Sequence, residues 1–135
     1  MAKKPSYIDT GAFIALLDGA DSYHSLFVQL FKNPPPLFTT PLVIAEGQGW
    51  FLKRYDKTRA LQFMQFVESF STLKIESIGQ NDVIESTKMM RKFSDQDLTM
   101  VDACGLWLMK KHSVKICWST DHHLSLSGIS LVIHQ

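Results

Sequence analysis

The chain has 135 residues, which fits one domain of ordinary size and is too short for two domains with separate cores. Hydrophobic residues make up 45% and charged residues 20%, a balance that indicates a globular protein rather than a disordered one. The formal net charge is +1, so bulk charge does not indicate a nucleic-acid partner, and local basic clusters would have to bind one. We therefore expect a single globular domain over residues 1–135.

The chain shows neither a run of about 20 apolar residues nor the apolar stretch of a signal peptide. Cys104 and Cys117 lie in apolar segments without a C-x-x-C spacing, which favours buried free thiols in a reducing compartment. Together with the histidines they match no zinc signature, so we exclude a zinc site. These features predict a cytoplasmic protein with no membrane span.

Short apolar runs alternate along the chain with longer segments of helical periodicity. Taken in chain order, the predicted elements are a strand at Ser6–Ile8, helices at Ala12–Leu17 and Ser22–Phe31, a strand at Leu37–Thr40, helices opening near Pro41 and over Lys57–Phe70, a strand at Leu73–Ile75, helices at Asp82–Phe93 and Met100–Lys111, and strands at Val114–Trp118 and Ile129–Ile133. Strands separated by helices predict a mostly parallel sheet of four to five strands in a three-layer α/β/α fold. Such folds bind ligands beyond the carboxyl ends of their strands.

Two aspartates follow predicted strands directly. Asp9 comes after the first strand and Asp121 after the strand that begins at Val114. If those strands are neighbours, the two carboxylates meet at the carboxyl edge of the sheet. Each aspartate also fits a structural role, because aspartate is common in turns and at the first residue of a helix.

Glu46 lies in a predicted helix, where it shares an i, i+4 face with the apolar residues Leu42 and Trp50. A glutamate on an apolar stripe loses hydration, and no lysine or arginine lies within four residues to pair with it. A cation would compensate that loss. The alternative is a glutamate at the edge of the stripe that remains in water.

Asp102 lies early in a helix whose following residues are almost all apolar, which indicates a buried helix. The spacing Thr99-x-x-Asp102 resembles a capping box, so a structural role is available. A carboxylate in the first turn is also favoured by the helix dipole and points towards the strand ends. Both interpretations stay open for this residue alone.

Considered together, the acids indicate a metal site. Converging carboxylates repel one another and raise one another's pKa values. Mg²⁺ binds through a few carboxylates plus water, and would relieve that repulsion. One or two such ions can activate a water and stabilise the leaving oxygen of a phosphodiester. The predicted ligands are Asp9, Glu46, Asp102 and Asp121.

The sequence resembles the PIN-domain ribonucleases over nearly its whole length. The resemblance rests on YIDTGAFIALLDGADSYH, TTPLVIAEG, SDQDLTMVDA and WSTDHH, and each segment carries an acid where the family places one. It implies a parallel sheet wrapped by helices and an endoribonuclease that uses Mg²⁺ (or Mn²⁺). Many members of this size are VapC-type toxins, which further implies a homodimer inhibited by a small antitoxin protein.

The resemblance carries over to a few more positions. Thr10 fits the hydroxyl residue next to the first acid, and Thr120 fits the residue before the last one. Asp97 is an extra acid, which suits a helix cap or an outer position around the metal. Leu124 stands where members often have phenylalanine, so an aromatic contact with substrate is not implied.

Basic residues occur in small groups, and surface charge is the default interpretation of each. For a nuclease the best candidates for phosphate contacts are Lys53, Arg54 and Lys57. Of the histidines, His122 and His123 are adjacent and therefore point in different directions, so we expect contact with phosphate rather than metal ligation.

The segment TRALQFMQFVESF places a wide apolar stripe on one helix. Packing in the core and a groove for a dimer partner or an antitoxin explain it equally well. Its members are Phe63, Phe66, Val67 and Phe70, with Leu61 and Met64 beside them.

Two other functions compete with RNA hydrolysis. A non-catalytic module with the same fold would bind RNA or protein without using the acids. A receiver-like phosphoacceptor domain would also bind Mg²⁺ at its strand ends, but it leaves Glu46 without a role. The presence of all four acids favours the nuclease.

Overall fold

A computed structural model describes residues 3–135 of the chain. Within that range five short strands form one sheet in which every pairing is parallel, in the order β3-β2-β1-β4-β5. The strands are β1 (Ser6–Ile8), β2 (Leu37–Thr39), β3 (Leu73–Ile75), β4 (Ile116–Trp118) and β5 (Ser130–Leu131). The predicted α/β fold with a parallel sheet is confirmed, and β5 is the predicted edge strand.

The helices follow the predicted order with shifted ends. They are α1 (Thr10–Leu17), α2 (His24–Leu30), α3 (Pro41–Arg54), α4 (Lys57–Ser69), α5 (Gln80–Lys92) and α6 (Met100–Lys111), followed by 3-10 segments at His122–Gly128 and Val132–His134. Pro41 occupies the first turn of α3, where its missing N–H costs nothing, and the Thr40 hydroxyl accepts a hydrogen bond from the Val43 amide. Helix α1 begins directly after Asp9, earlier than predicted.

One face of the sheet is covered by an aromatic layer from the first four helices. Phe31, the residue after α2, packs edge-to-face on Trp118 of β4 at a centroid distance of 5.0 Å, and on Phe66 of α4 at 6.0 Å. Phe63 is fully buried in this layer, whereas Leu61 is 58% exposed. The apolar stripe on α4 therefore packs mainly into the core, and Leu61 alone lies well out in water.

The opposite face is covered by α5 and α6. Tyr7 and Phe38 stack edge-to-face there at 5.2 Å, and the Tyr7 ring lies directly over Gly105 of α6. Trp107 donates a hydrogen bond of 3.0 Å to Asp82, which joins α6 to α5. Both cysteines are buried and free, as expected, and no helix within residues 3–135 is long and apolar enough to cross a membrane.

Two glycines of α3 provide a matched test of the packing between α3 and α4. A Cβ at Gly47 would lie 2.6 Å from the ring of the buried Phe63, whereas one at Gly49 would meet nothing within 4 Å. Gly47→Ala should lower the free energy of unfolding by about 1–3 kcal/mol through overpacking. Gly49→Ala should raise it by up to about 1 kcal/mol through helix propensity. Urea unfolding measures both, and equal effects would contradict this packing.

Candidate metal centre

Strand β1 lies in the middle of the sheet, with β2 and β3 on one side of it and β4 and β5 on the other, so the strand order reverses at β1. The carboxyl ends of β1 and β4 therefore flank the switch point, where parallel α/β sheets form their binding crevice. Asp9 follows β1 and Asp121 follows the end of β4, and the Asp9 amide donates a 3.0 Å hydrogen bond to the Trp118 carbonyl of β4. The strands that carry the two aspartates are neighbours, as the sequence argument required.

Asp9 lies at the floor of the crevice with only 4% of its surface exposed. Burial, with the charges of Asp102 and Glu46 adding to it, raises the pKa of its carboxyl group from 3.8 to about 7. Hydrogen bonds from the Thr10 amide and the Ser119 hydroxyl act in the opposite direction. Within residues 3–135 no ion pair joins a cationic side chain to Asp9, so none of these side chains offsets its burial through a direct contact.

Asp102 reaches the same crevice from the first turn of α6. The Thr99 hydroxyl caps that helix by accepting a 3.2 Å hydrogen bond from the Asp102 amide. Burial, followed by the charge of Asp121, raises the pKa of the Asp102 carboxyl group. The side chain is buried, so the residue both begins the helix and presents a carboxylate to the crevice.

Ser119 holds two of the acids together. Its hydroxyl donates to Asp9 Oδ2 at 3.1 Å and accepts from the Asp121 amide at 2.9 Å. Asp121 Oδ1 in turn accepts a 3.0 Å hydrogen bond from the His123 amide. Sequence reasoning did not single out Ser119. Its place two residues before an acid at a strand end was the one available signal.

His123 belongs to the same cluster, although nothing in the sequence indicated that its imidazole lies beside the acids. Ligand atoms of Asp102, Asp121 and His123 all lie within 4.8 Å of one another. The neighbouring His122 is 80% exposed, its Nδ1 atom lies 3.9 Å from Asp121 Oδ1, and its ring lies 4.3 Å from that of His123 between centroids. The expectation that the two adjacent imidazoles point in different directions was therefore wrong.

Glu46 faces the crevice from α3, but it does so from solvent. The residue is exposed, and Leu42 and Trp50 on the same helix face are half-buried. Of the two alternatives that the sequence left open, a dehydrated glutamate on an inward stripe and a glutamate at the edge of that stripe, the structure shows the second. The Thr10 hydroxyl donates a hydrogen bond to Glu46 Oε1, which ties the glutamate to the start of α1.

Thr120 packs against the start of α1 on the other side. A Cβ at Gly11 would collide with the Thr120 hydroxyl, so glycine at this position permits the close approach of α1 to the loop after β4. Both predicted hydroxyl residues, Thr10 and Thr120, therefore lie beside the acids. Asp97 is exposed, and the cap of α6 is Thr99, so Asp97 is not the helix cap.

The basic residues lie farther away. Lys53 and Arg54 are in the last turn of α3, and Arg54 is eight residues beyond Glu46, about 12 Å along the helix axis. Lys57 opens α4 after the turn. Within residues 3–135 no ion pair joins these three cations to the acids.

Two remaining positions have structural roles. The His24 Nδ1 atom lies 2.8 Å from the Ala15 carbonyl, so this histidine at the start of α2 contacts α1. Leu124 is fully buried, so the position where relatives often carry phenylalanine belongs to the core here rather than to the substrate side.

The donor set fits a hard divalent cation. Carboxylate oxygens of Asp102 and Asp121 converge beside one imidazole, and the buried Asp9 forms no ion pair with a cationic side chain among residues 3–135. Comparison with known families agrees with the fold, since residues 6–126 match the family model of the PIN domain. The chain belongs to the PIN domain family. A search of curated protein sequences found no match.

Solved structures share the PIN fold over nearly the whole chain. The chain is similar to VapC20 of Mycobacterium tuberculosis, a toxin that cleaves the sarcin-ricin loop, with a TM-score of 0.85, 17% identity and coverage of 94% of this chain and 97% of that one. The chain is also similar to a toxin–antitoxin complex from Klebsiella pneumoniae, with a TM-score of 0.65, 18% identity and coverage of 94% of this chain and 95% of that one. A third similar structure is VapBC2 from Rickettsia felis bound to promoter DNA, with a TM-score of 0.64, 12% identity and coverage of 95% of this chain and 97% of that one. At these identities the likeness establishes the fold.

Proposed function

We propose that this PIN domain is an endoribonuclease that hydrolyses RNA phosphodiesters with Mg²⁺ or Mn²⁺, and that it is the toxin of a toxin–antitoxin pair. One observation carries the catalytic part. Acids from distant parts of the chain, Asp9, Glu46, Asp102 and Asp121, face one crevice at the switch point of a parallel sheet. The alternative is a PIN-fold module that binds RNA or protein without catalysis.

In this proposal the buried acids Asp9 and Asp102, with Asp121, hold the metal. When bound there, such an ion would provide positive charge for the phosphate and lower the pKa of a water. Ser119 keeps Asp9 and Asp121 at a constant separation through its two hydrogen bonds. Glu46 lies on the solvent side and is oriented by Thr10, where a carboxylate can meet both the ion and a substrate.

Direct attack by water fits this chain better than a covalent intermediate. Burial raises the pKa of both Cys104 and Cys117, so neither thiol is an activated nucleophile. Ser119 is buried and its hydroxyl is engaged by both Asp9 and Asp121. Hydrolysis therefore needs no side chain that bonds to the phosphorus.

The residues that we propose to contact RNA lie both beside the acids and farther away from them. Thr10 and Thr120 lie close enough to the acids to contact the reacting phosphate. Lys53, Arg54 and Lys57 are exposed at the far end of α3, so they would contact phosphates several nucleotides away along a single strand.

The toxin role is supported by the relatives, because similar chains were solved within toxin–antitoxin complexes. The surface of this chain offers apolar side chains for a partner, among them the exposed Leu52 and Leu61. We propose that the protein forms a homodimer, binds an antitoxin protein and acts in the cytoplasm. Growth arrest on expression, relieved by the product of a small neighbouring gene, would test the toxin role separately from catalysis.

An RNA cleavage assay tests the catalytic proposal. We expect no cleavage in EDTA, and cleavage restored by added Mn²⁺ or Mg²⁺. The reaction should be followed on a long single-stranded RNA and on the same sequence as DNA. Binding of RNA with no cleavage under any metal condition would favour the non-catalytic module.

A further inference from the structure

We propose that His123 is a nitrogen ligand of the metal and that it gives the site a preference for Mn²⁺ over Mg²⁺. This inference rests on the proposed metal-dependent function. It adds an imidazole to the acidic ligand set that the sequence predicted.

The position of the ring carries the inference. The Nδ1 atom of His123 lies 3.3 Å from Asp121 Oδ1 and 3.7 Å from Asp102 Oδ2. Two neighbouring ligand atoms of an octahedral ion with bonds of about 2.1 Å lie about 3 Å apart. Both distances are near that value, so one ion can contact the nitrogen and both carboxylates with small adjustments.

The loop around His123 fixes the ring in this orientation. Asp121 caps the 3-10 segment by accepting a 3.0 Å hydrogen bond from the His123 amide, and the next residue, Leu124, is fully buried. The side chain of His123 is 21% exposed, so the ring lies against the protein rather than in solvent. The capping bond uses the backbone amide, so it remains available to Asp121 when the side chain of His123 is replaced.

The chemistry of the donors predicts the metal preference. Mg²⁺ prefers an all-oxygen shell, whereas imidazole is a better ligand for transition-metal ions. A nitrogen ligand beside the carboxylates therefore adds more to the affinity for Mn²⁺ than to that for Mg²⁺. Without it, the carboxylates and water would form the all-oxygen shell that suits Mg²⁺.

His122 supplies a matched control. Its ring packs against that of His123 with centroids 4.3 Å apart, yet it is 80% exposed and lies 3.9 Å from Asp121. His122→Gln and His123→Gln remove the same group from adjacent residues of one loop. Only His123→Gln should weaken the binding of Mn²⁺.

The test is binding of Mn²⁺ alone, measured without RNA. Pulsed electron paramagnetic resonance of the Mn²⁺ protein should show coupling to one imidazole nitrogen, which is absent in His123→Gln and unchanged in His122→Gln. Calorimetry should show about a tenfold weaker Mn²⁺ affinity in His123→Gln, with Mg²⁺ affinity changed less than about twofold. Circular dichroism checks that both variants remain folded.

Bound Mn²⁺ with no nitrogen coupling in the unmodified protein would overturn the inference while leaving the metal centre intact. Coupling that persists in His123→Gln, or disappears in His122→Gln, would also overturn it. A lack of Mn²⁺ binding by the unmodified protein would instead overturn the proposed function on which the inference rests.

Discussion

Asparagine in place of Asp9 or Asp102 is expected to reduce metal-dependent RNA cleavage by about a thousandfold or more. Each change removes a negative oxygen that the proposed ion needs and keeps the size of the side chain. Metal ions contribute several kcal/mol to the stabilisation of charge in a transition state, and about 4 kcal/mol corresponds to a factor of a thousand in rate. Initial rates on single-stranded RNA at saturating Mn²⁺ measure the loss.

Glu68→Gln is the control for these variants. Glu68 is exposed on α4 and belongs to no ion pair described within residues 3–135, so its removal changes the net charge by the same amount without touching the crevice. Its cleavage rate should match that of the unmodified protein. Full activity in Asp9→Asn or in Asp102→Asn would show that the residue concerned is not a metal ligand.

Asp9→Asn should also make the metal-free protein more stable at pH 8. The pKa of Asp9 is about 7 in the folded protein, against 3.8 for the ordinary carboxyl group. As the pH rises through this window, the unfolded chain releases the proton before the folded one does, so the folded state loses stability. Asparagine does not ionise, so the variant avoids this loss.

The difference of about three pKa units sets the expected size. At about 1.4 kcal/mol per unit, Asp9→Asn should gain on the order of 2–4 kcal/mol in free energy of unfolding at pH 8 in EDTA. The gain should fall to near zero below about pH 3, where the carboxyl group is protonated in both states. Urea unfolding across this range measures it. A variant that is less stable by the same amount at every pH would contradict the buried, unpaired carboxylate.

Metal binding connects the two expected results. An ion that binds only the folded protein adds stability in proportion to its occupancy, and it should do so for the unmodified protein far more than for Asp9→Asn. The same carboxylate would then lower stability without metal and enable catalysis with it. Proteins often keep such unfavourable groups at functional sites for this reason.

Local pattern in the sequence predicted most of the fold. The alternation of short apolar runs with helical segments indicated the five strands in order, and β1 was predicted at its observed ends, Ser6–Ile8. Helix ends were less well predicted, since α2 is shorter than Ser22–Phe31 and α1 starts at Thr10. Ends depend on capping contacts that periodicity does not contain.

The sequence by itself determined the order of elements, the positions of Asp9 and Asp121 after strands and that of Asp102 in the first turn of a helix, because hydrophobic periodicity and element boundaries are local properties of a chain. Only the tertiary structure decided that Glu46 is exposed and held by Thr10, that Ser119 joins Asp9 to Asp121, and that the ring of His123 turns inward. Those contacts link residues as far as 110 positions apart, and they depend on sheet register and loop conformation. Hydrophobic periodicity along the chain contains no information about sheet register or loop conformation.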